Sequence, residues 1–254
     1  MAPEIHSPAM SDETIRIAMW SGPRNISTAM MRAFENRPDT EVWDEPFYAA
    51  WLKVTGIDHP MREEICATHE ADWQKVAERL AGAPPFGSRI FYQKHMTHHM
   101  IAEIGRDWMR SCRHAFLIRH PARVLVSYAR KRAGPSLSDI GFVEQEELFR
   151  LATEASGSVP PVIDADDLLA DPEAMLRALC AALRIDFSPA MLAWPAGPRD
   201  SDGVWAAHWY DAVHRSTGFQ PPAPLPELED HGLKEVEAEA LPIYEQLARQ
   251  KLRP

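Results

Sequence analysis

The stretch IAMWSGPRNISTAMMRAF, residues 17–34, decides how the rest of the chain is read. Ile15, Ile17 and Met19 alternate as in a strand, and Gly22-Pro23 breaks the run. Ala29, Met30, Ala33 and Phe34 then recur at helical spacing. Between strand and helix stand Ser21, Gly22, Pro23, Arg24, Asn25, Ile26, Ser27 and Thr28. The free N–H groups of a first helical turn, joined by two hydroxyls and a guanidinium, suit a phosphate- or sulfate-like anion. The plain alternative is that Ser27 and Thr28 only cap the helix and Arg24 is a solvated loop charge.

A second basic feature favours the anion. RHAFLIRHPARVLVSYARKR, residues 113–132, carries six arginines and lysines and no carboxylate. The chain as a whole has 37 acidic against 27 basic residues and a formal charge of −10. Arg119 falls at a strand's carboxyl end and Pro121 opens the next helix. Arg123, Ser127 and Arg130 or Lys131 are spaced to share a helical face. The alternative is an exposed basic helix that serves solubility. Two anion loops at the ends of parallel strands suit a nucleotide with two separated phosphate groups.

Outward from these loops, TIRIAMW, TEVWDEPF, SRIFYQKHM, RHAFLIRH and VPPVIDADD read as strands. Helices are expected over 26–36, 61–81, 97–105, 121–132, 141–156, 171–184 and 232–251, with Pro172 at a helix start and Met175, Leu176, Leu179 and Leu183 as its apolar stripe. The expected fold is α/β, three-layer and P-loop-like, with a mainly parallel central sheet flanked by helices. With 254 residues, 45% apolar, and no repeat or composition break, one domain over 1–254 is expected, with residues 1–13 flexible and 220–254 a C-terminal extension and helix. Cys66, Cys112 and Cys180 form no C-x-x-C pair and read as reduced thiols. No secretory leader or membrane-length apolar run is seen, so a cytoplasmic protein without a membrane partner is expected. The acidic balance argues against nucleic acid.

SGPRNISTAM and LIRHPARVLVSYARKR resemble the two nucleotide-binding signatures of the sulfotransferase superfamily, and VIDADDLLADPEAMLRALCAALRIDF is similar to its strand, acidic turn and helix further on. The resemblance covers most of residues 15–190. It implies 3′-phosphoadenylyl sulfate as donor, leaving adenosine 3′,5′-bisphosphate, with no metal required. It also implies that Arg119 and Ser127 hold the 3′-phosphate and that residues 23–28 surround the 5′-phosphosulfate. Arg24, where the commoner pattern has lysine, would stabilise the leaving phosphate. Arg199 and Gly203 in GPRDSDGVW are similar to a basic loop that closes over the 3′-phosphate.

Two residues are candidates for the base that takes the acceptor's proton. His95 follows Lys94 in FYQKHMTHH, and Glu45 stands in VWDEPFY, similar to the glutamate of carbohydrate sulfotransferases. His95 and His99 are also spaced as two metal ligands on one helix face, with no third indicated. Glu45 beside Asp44 is otherwise a turn cap before Pro46. The acceptor is expected to be a small molecule or carbohydrate offering a hydroxyl or amine, taken up near Tyr48, Trp51 and Trp73 in the segment from Phe47 to Gly82. Trp194, Trp205 and Trp209 are candidates for stacking on adenine or lining the acceptor pocket, with core packing the default. An ATP-dependent small-molecule kinase is the rival, but the chain has no Gly-Lys pair for a P-loop. A non-catalytic nucleotide-binding protein of the same fold is the other alternative. No G-x-G-x-x-G speaks for a dinucleotide oxidoreductase.

Overall fold

The computed structural model describes residues 14–254, so the expected flexible segment 1–13 lies outside the described residues. Strand β1 (Ile15–Ser21) leads to helix α1 (Ser27–Glu35) and strand β2 (Thr40–Asp44). Helices α2 (Tyr48–Thr55), α3 (Arg62–Thr68) and α4 (Trp73–Ala81) precede strand β3 (Ile90–Met96). Strand β4 (Arg113–Ile118) is followed by α5 (Pro121–Ala129), α6 (Leu137–Ile140) and α7 (Phe142–Ser156). Strand β5 (Val162–Asp164), α8 (Ala165–Ala170) and α9 (Pro172–Ala182) come next, and then α10 (Ala206–Trp209), α11 (Asp211–His214) and α12 (His231–Ala248).

The five strands form one all-parallel sheet in the order β2-β3-β1-β4-β5. Because β1 lies between β3 and β4, Ser21 is level with Met96 on one side and Leu117 on the other. Loops that leave the chain almost a hundred residues apart therefore open together at the carboxyl ends of neighbouring strands, where ligands of such sheets bind. Alternation along β1 sorts its side chains. Ile15, Ile17 and Met19 meet Met30, Phe34, Leu176 and Leu179 of α1 and α9, while Ala18 and Trp20 meet α4, α7 and α12 on the other face.

Four local expectations change. The run 61–81 is two helices, because Asp72 accepts hydrogen bonds from the amides of Gln74 and Lys75 and restarts the helix. Residues 97–105 have the right apolar spacing but form only a 3₁₀ turn, Thr97–His99. The Arg106 guanidinium takes the carbonyls of Met100, Ile101 and Ile104, which a helix would have used. The second strand stops at Asp44, and α2 begins three residues after Glu45. The acidic run after β5 is a helix start, with Asp164 accepting from the Asp166 amide.

Candidate active site

Gly22 is required by packing: a Cβ there would lie 2.5 Å from the Ile140 carbonyl oxygen. The loop beyond it is twisted, with Arg24 at φ 62° and Ile26 at φ 55°. Such left-handed non-glycine residues each cost about 1–3 kcal/mol and persist where the surroundings enforce them. One consequence is that α1 starts on Ile26 with no side-chain cap. Helices α4, α5, α8, α9 and α12, by contrast, each start on a side-chain acceptor. The first-turn amides of α1 remain available at the wall of a cavity of about 430 Å³, lined here by Pro23, Arg24, Ile26, Ser27 and Thr28.

From the end of β4 and from α5, Arg119 and Ser127 join the same wall. Arg24 Nε donates to Ser127 Oγ at 2.9 Å, and Arg119 donates to the Arg24 carbonyl at 2.7 Å. Arg119 Nε is buried with no hydrogen-bond partner. Burial, aided by the repulsion of Arg130, lowers the Arg24 pKa. Burial does the same for Arg119, with Arg123 and Arg24 adding repulsion. Half-buried guanidiniums under such repulsion are relieved by an anion. Arg123 also lines the cavity but is already engaged by Asp166 at 2.8 Å and by the carbonyls of Ala223 and Pro224. Lys131 turns instead to Asp211 and the His208 carbonyl. Ser21 and Asn25 stand behind the wall, Asn25 bonding the Leu117 carbonyl at 3.2 Å.

The two base candidates separate. Neighbouring residues of a strand face opposite sides of the sheet, so only one of Lys94 and His95 can reach the cavity, and it is Lys94. His95 is 1% exposed, stacked on Trp20 at 4.5 Å and beside Trp108, and its Nε2 meets Gln93. The structure does not bring it to the cavity. His99 is not on a helix with it, and among the described residues no group of three His, Cys, Asp or Glu is placed to hold a metal.

Glu45 lines the cavity at φ 41°. Lys94 Nζ donates to Asp44 Oδ1 at 2.7 Å, to Glu45 Oε1 at 2.5 Å and to the Tyr210 hydroxyl at 2.7 Å. Register explains the first contact, since Asp44 and Lys94 are level across β2 and β3. Tyr210 in turn donates to Asp44 at 2.7 Å and accepts from Trp205 Nε1. The bonds to Glu45 from Lys94 and Tyr210 both end on Oε1; among the described residues Oε2 has no partner. Burial raises the Glu45 pKa above the ordinary glutamate value, Asp44 adds to the rise and Lys94 opposes it. Burial alone would lower the Lys94 pKa, but Asp44 and Glu45 together raise it, so the ammonium stays charged. A carboxylate of raised basicity with one free oxygen at a cavity wall suits proton abstraction.

The C-terminal segment covers the cavity, though not with the expected loop. The Arg199 amide bonds Asp202 and its side chain bonds the Pro195 carbonyl, away from the cavity. Asp202 is held by the buried Arg32, which ties this loop to α1. Tyr210, Trp209 and the run Gly218–Ala223 line the cavity instead. Arg123 bonding to Ala223 holds that run in place. The sequence signal for this cover was the proline-rich QPPAP stretch, which resists helix and strand alike. Of the segment expected to receive an acceptor, Tyr48 and His59 line the cavity, Trp51 stacks on His99 behind it, and Trp73 packs at Gly105. Trp194 and Trp205 are core residues.

Fold and cavity together define an α/β protein with Arg24, Arg119 and an uncapped helix start gathered at the carboxyl ends of parallel strands. A family model described as "Sulfotransferase domain" matches residues 15–251, and the chain belongs to that family. Similar curated proteins include Branched-chain-amino-acid aminotransferase-like proteins 1 and 2 of Arabidopsis thaliana, 39% and 37% identical over 229 residues, or 90% of this chain. The chain spans about 40% of the length of those relatives. Among solved structures, a sulfotransferase from Alicyclobacillus acidocaldarius matches with a TM-score of 0.56 at 12% identity, covering 94% of this chain and 97% of that one. The sulfotransferase domain from the curacin biosynthetic pathway matches with 0.51 at 17%, covering 89% and 97%. At these identities the two structures support the fold. No helix among the described residues is long and apolar enough to cross a membrane.

Proposed function

We propose that the protein is a sulfotransferase that moves a sulfuryl group from 3′-phosphoadenylyl sulfate to the hydroxyl of a small acceptor, with Glu45 as base. The observation that carries this reading is the convergence on one cavity of the uncapped α1 start, Arg24, Arg119 and Ser127 with the free Oε2 of Glu45. The unpartnered Nε of Arg119 and the open amides of α1 fit an anionic donor. Arg24 and the first-turn amides would bear charge that grows on the leaving phosphate.

In the transfer, the bond from sulfur to the phosphate oxygen breaks as a bond from sulfur to the acceptor oxygen forms. The acceptor's proton passes to Glu45 Oε2, and adenosine 3′,5′-bisphosphate leaves with the bonding electron pair. Lys94 holds Oε1 and so orients the carboxylate, while Asp44 and Tyr210 hold Lys94. The aminotransferase in the relatives' name belongs to proteins of which this chain matches only 40%, and it is not carried over.

Calorimetric titration with adenosine 3′,5′-bisphosphate, against ATP with magnesium, tests the donor. Binding of the bisphosphate with little response to ATP is expected. A preference for ATP with magnesium would replace this reading with a kinase.

A further inference from the structure

A second hollow, of about 180 Å³, lies at the opposite end of the sheet, where the chain enters the strands. Four arginines line it, Arg16, Arg89, Arg113 and Arg184, with Thr14 and Ser111 beside them; among the described residues no Asp or Glu does. In a chain of 37 acidic and 27 basic residues, composition does not account for four cations gathered without a carboxylate. The sheet gathers them instead. Arg113 is level with Ile17 across β4 and β1, one residue beyond Arg16, and Arg89 directly precedes Ile90, which is level with Ile15. Arg184 arrives from the other direction, two residues beyond the end of α9.

Backbone carbonyls aim two of the four. Arg16 Nε donates to the Gly82 carbonyl at 2.8 Å, just past α4, and Arg113 Nη1 donates to the Leu183 carbonyl at 2.5 Å, just past α9. Arg16 is thus anchored on one face of the sheet and Arg113 on the other, and the hollow opens between them. A carbonyl orients a guanidinium without neutralising it. Among the described residues Arg16 makes no ion pair, and the side chains of Arg89 and Arg184 make neither an ion pair nor a hydrogen bond. Like charges held round one hollow repel each other, and an anion shared among them reverses the sign of the interaction. The guanidinium fork, moreover, matches paired oxygens on one centre.

We propose that this hollow is a second anion site, separate from the cavity of Arg24 and Arg119, and that it takes a free oxyanion of the phosphate or sulfate type carrying two or more charges. Three cations without a counter-charge call for more than one negative charge. Less than half the volume of the first cavity, and walls of arginine and hydroxyl side chains, suit a compact ion better than a nucleoside. The site stands whether or not the protein is a sulfotransferase, because it shares no residue with the first cavity.

The test is calorimetry at low ionic strength with sulfate, phosphate, pyrophosphate, acetate, ATP and tetraglutamate as probes. Arg119→Ala serves as the parent, so that the first cavity contributes least, and Arg89→Gln with Arg184→Gln is compared with it. Those two changes should weaken pyrophosphate, and sulfate or phosphate, about tenfold or more. Arg89→Lys with Arg184→Lys, which keep the charge but not the fork, should lose less. Unfolding midpoints give a second readout: pyrophosphate should raise that of the parent and not that of the glutamine variant, whose midpoint without anion should match the parent's and show that it folds. Equal affinity in parent and glutamine variant would overturn the site. Acetate binding as tightly as sulfate would reduce it to charge screening. Tighter binding of ATP than of pyrophosphate, lost in the glutamine variant, would replace the free ion with a nucleotide tail, and tightest binding of tetraglutamate would replace it with an acidic segment. In the otherwise wild-type chain, Arg89→Gln and Arg184→Gln should leave the affinity for adenosine 3′,5′-bisphosphate unchanged; a shared loss would refute two separate sites.

Discussion

At one end of the cavity Arg24 and Arg119 remain charged although half buried; at the other, His59, His98 and His99 have given up their charge. Both ends are short of partners: Arg119 Nε at the first, the Nδ1 atoms of His98 and His99 at the second. Burial acts in the same direction on both, lowering the pKa of a base. An arginine starts so high that it stays cationic after the shift, whereas a histidine crosses neutral pH and becomes a dipole. Side-chain chemistry thus divides a single hollow into an anion end and a neutral end. Glu45 and Lys94 also line it.

The sharpest way to break this division is at its middle. Glu45→Gln should lower kcat by about 10²–10⁴-fold, the usual worth of a general base, while bisphosphate affinity holds. A variant with wild-type turnover would remove Glu45 from the chemistry. The pH profile offers an independent check with a fixed sign. The base works unprotonated and its pKa is raised, so turnover should fall on acidification at a pH above 4.5, the ordinary glutamate value. A midpoint at or below 4.5 would contradict the raised basicity.

Next in size are the arginines. Arg119→Ala should weaken bisphosphate binding by about 1.5–3 kcal/mol, the range for a charge-assisted contact. Unchanged affinity would detach the β4 loop from the anion end. For Arg24→Ala, turnover should fall more than donor affinity, since the charge it faces grows during transfer. Equal losses in both would make it a plain binding residue.

How much of this was legible in the sequence depends on the kind of information needed. All five strands were visible, because β-branched and aromatic runs between loop signals carry their own period. The loop at residues 21–28 was visible because its glycine, proline and hydroxyls are local chemistry. The Lys94–Asp44–Tyr210 cluster was not, since it depends on the register of β2 with β3 and on a tyrosine more than a hundred residues away. Strict alternation would have separated Lys94 from His95, because adjacent strand residues cannot share a face. Arg199 stands away from the cavity for the opposite reason. Its loop has the right composition, but the pairing of Arg32 with Asp202 that fixes the loop to α1 is written only in the fold.

The smallest expected effect on activity comes from the histidine that faces away from the cavity. His95, buried behind the sheet against Trp20, should tolerate His95→Gln with turnover nearly unchanged, any loss appearing in stability. A large fall in kcat with intact folding would return it to the chemistry. His98 should instead report through pH. Its folded pKa of about 3 lies below the ordinary histidine value of 6.5, so the unfolded chain binds its proton first. The stability this group contributes is therefore full above pH 6.5 and is lost as the pH falls towards 3. The slope is at most about 1.4 kcal/mol per pH unit. His98→Phe, measured by denaturant unfolding between pH 4 and 7, should flatten that slope by one proton's worth. An unchanged slope would mean that His98 is protonated in the folded protein, and the neutral end of the cavity would then be a cationic one.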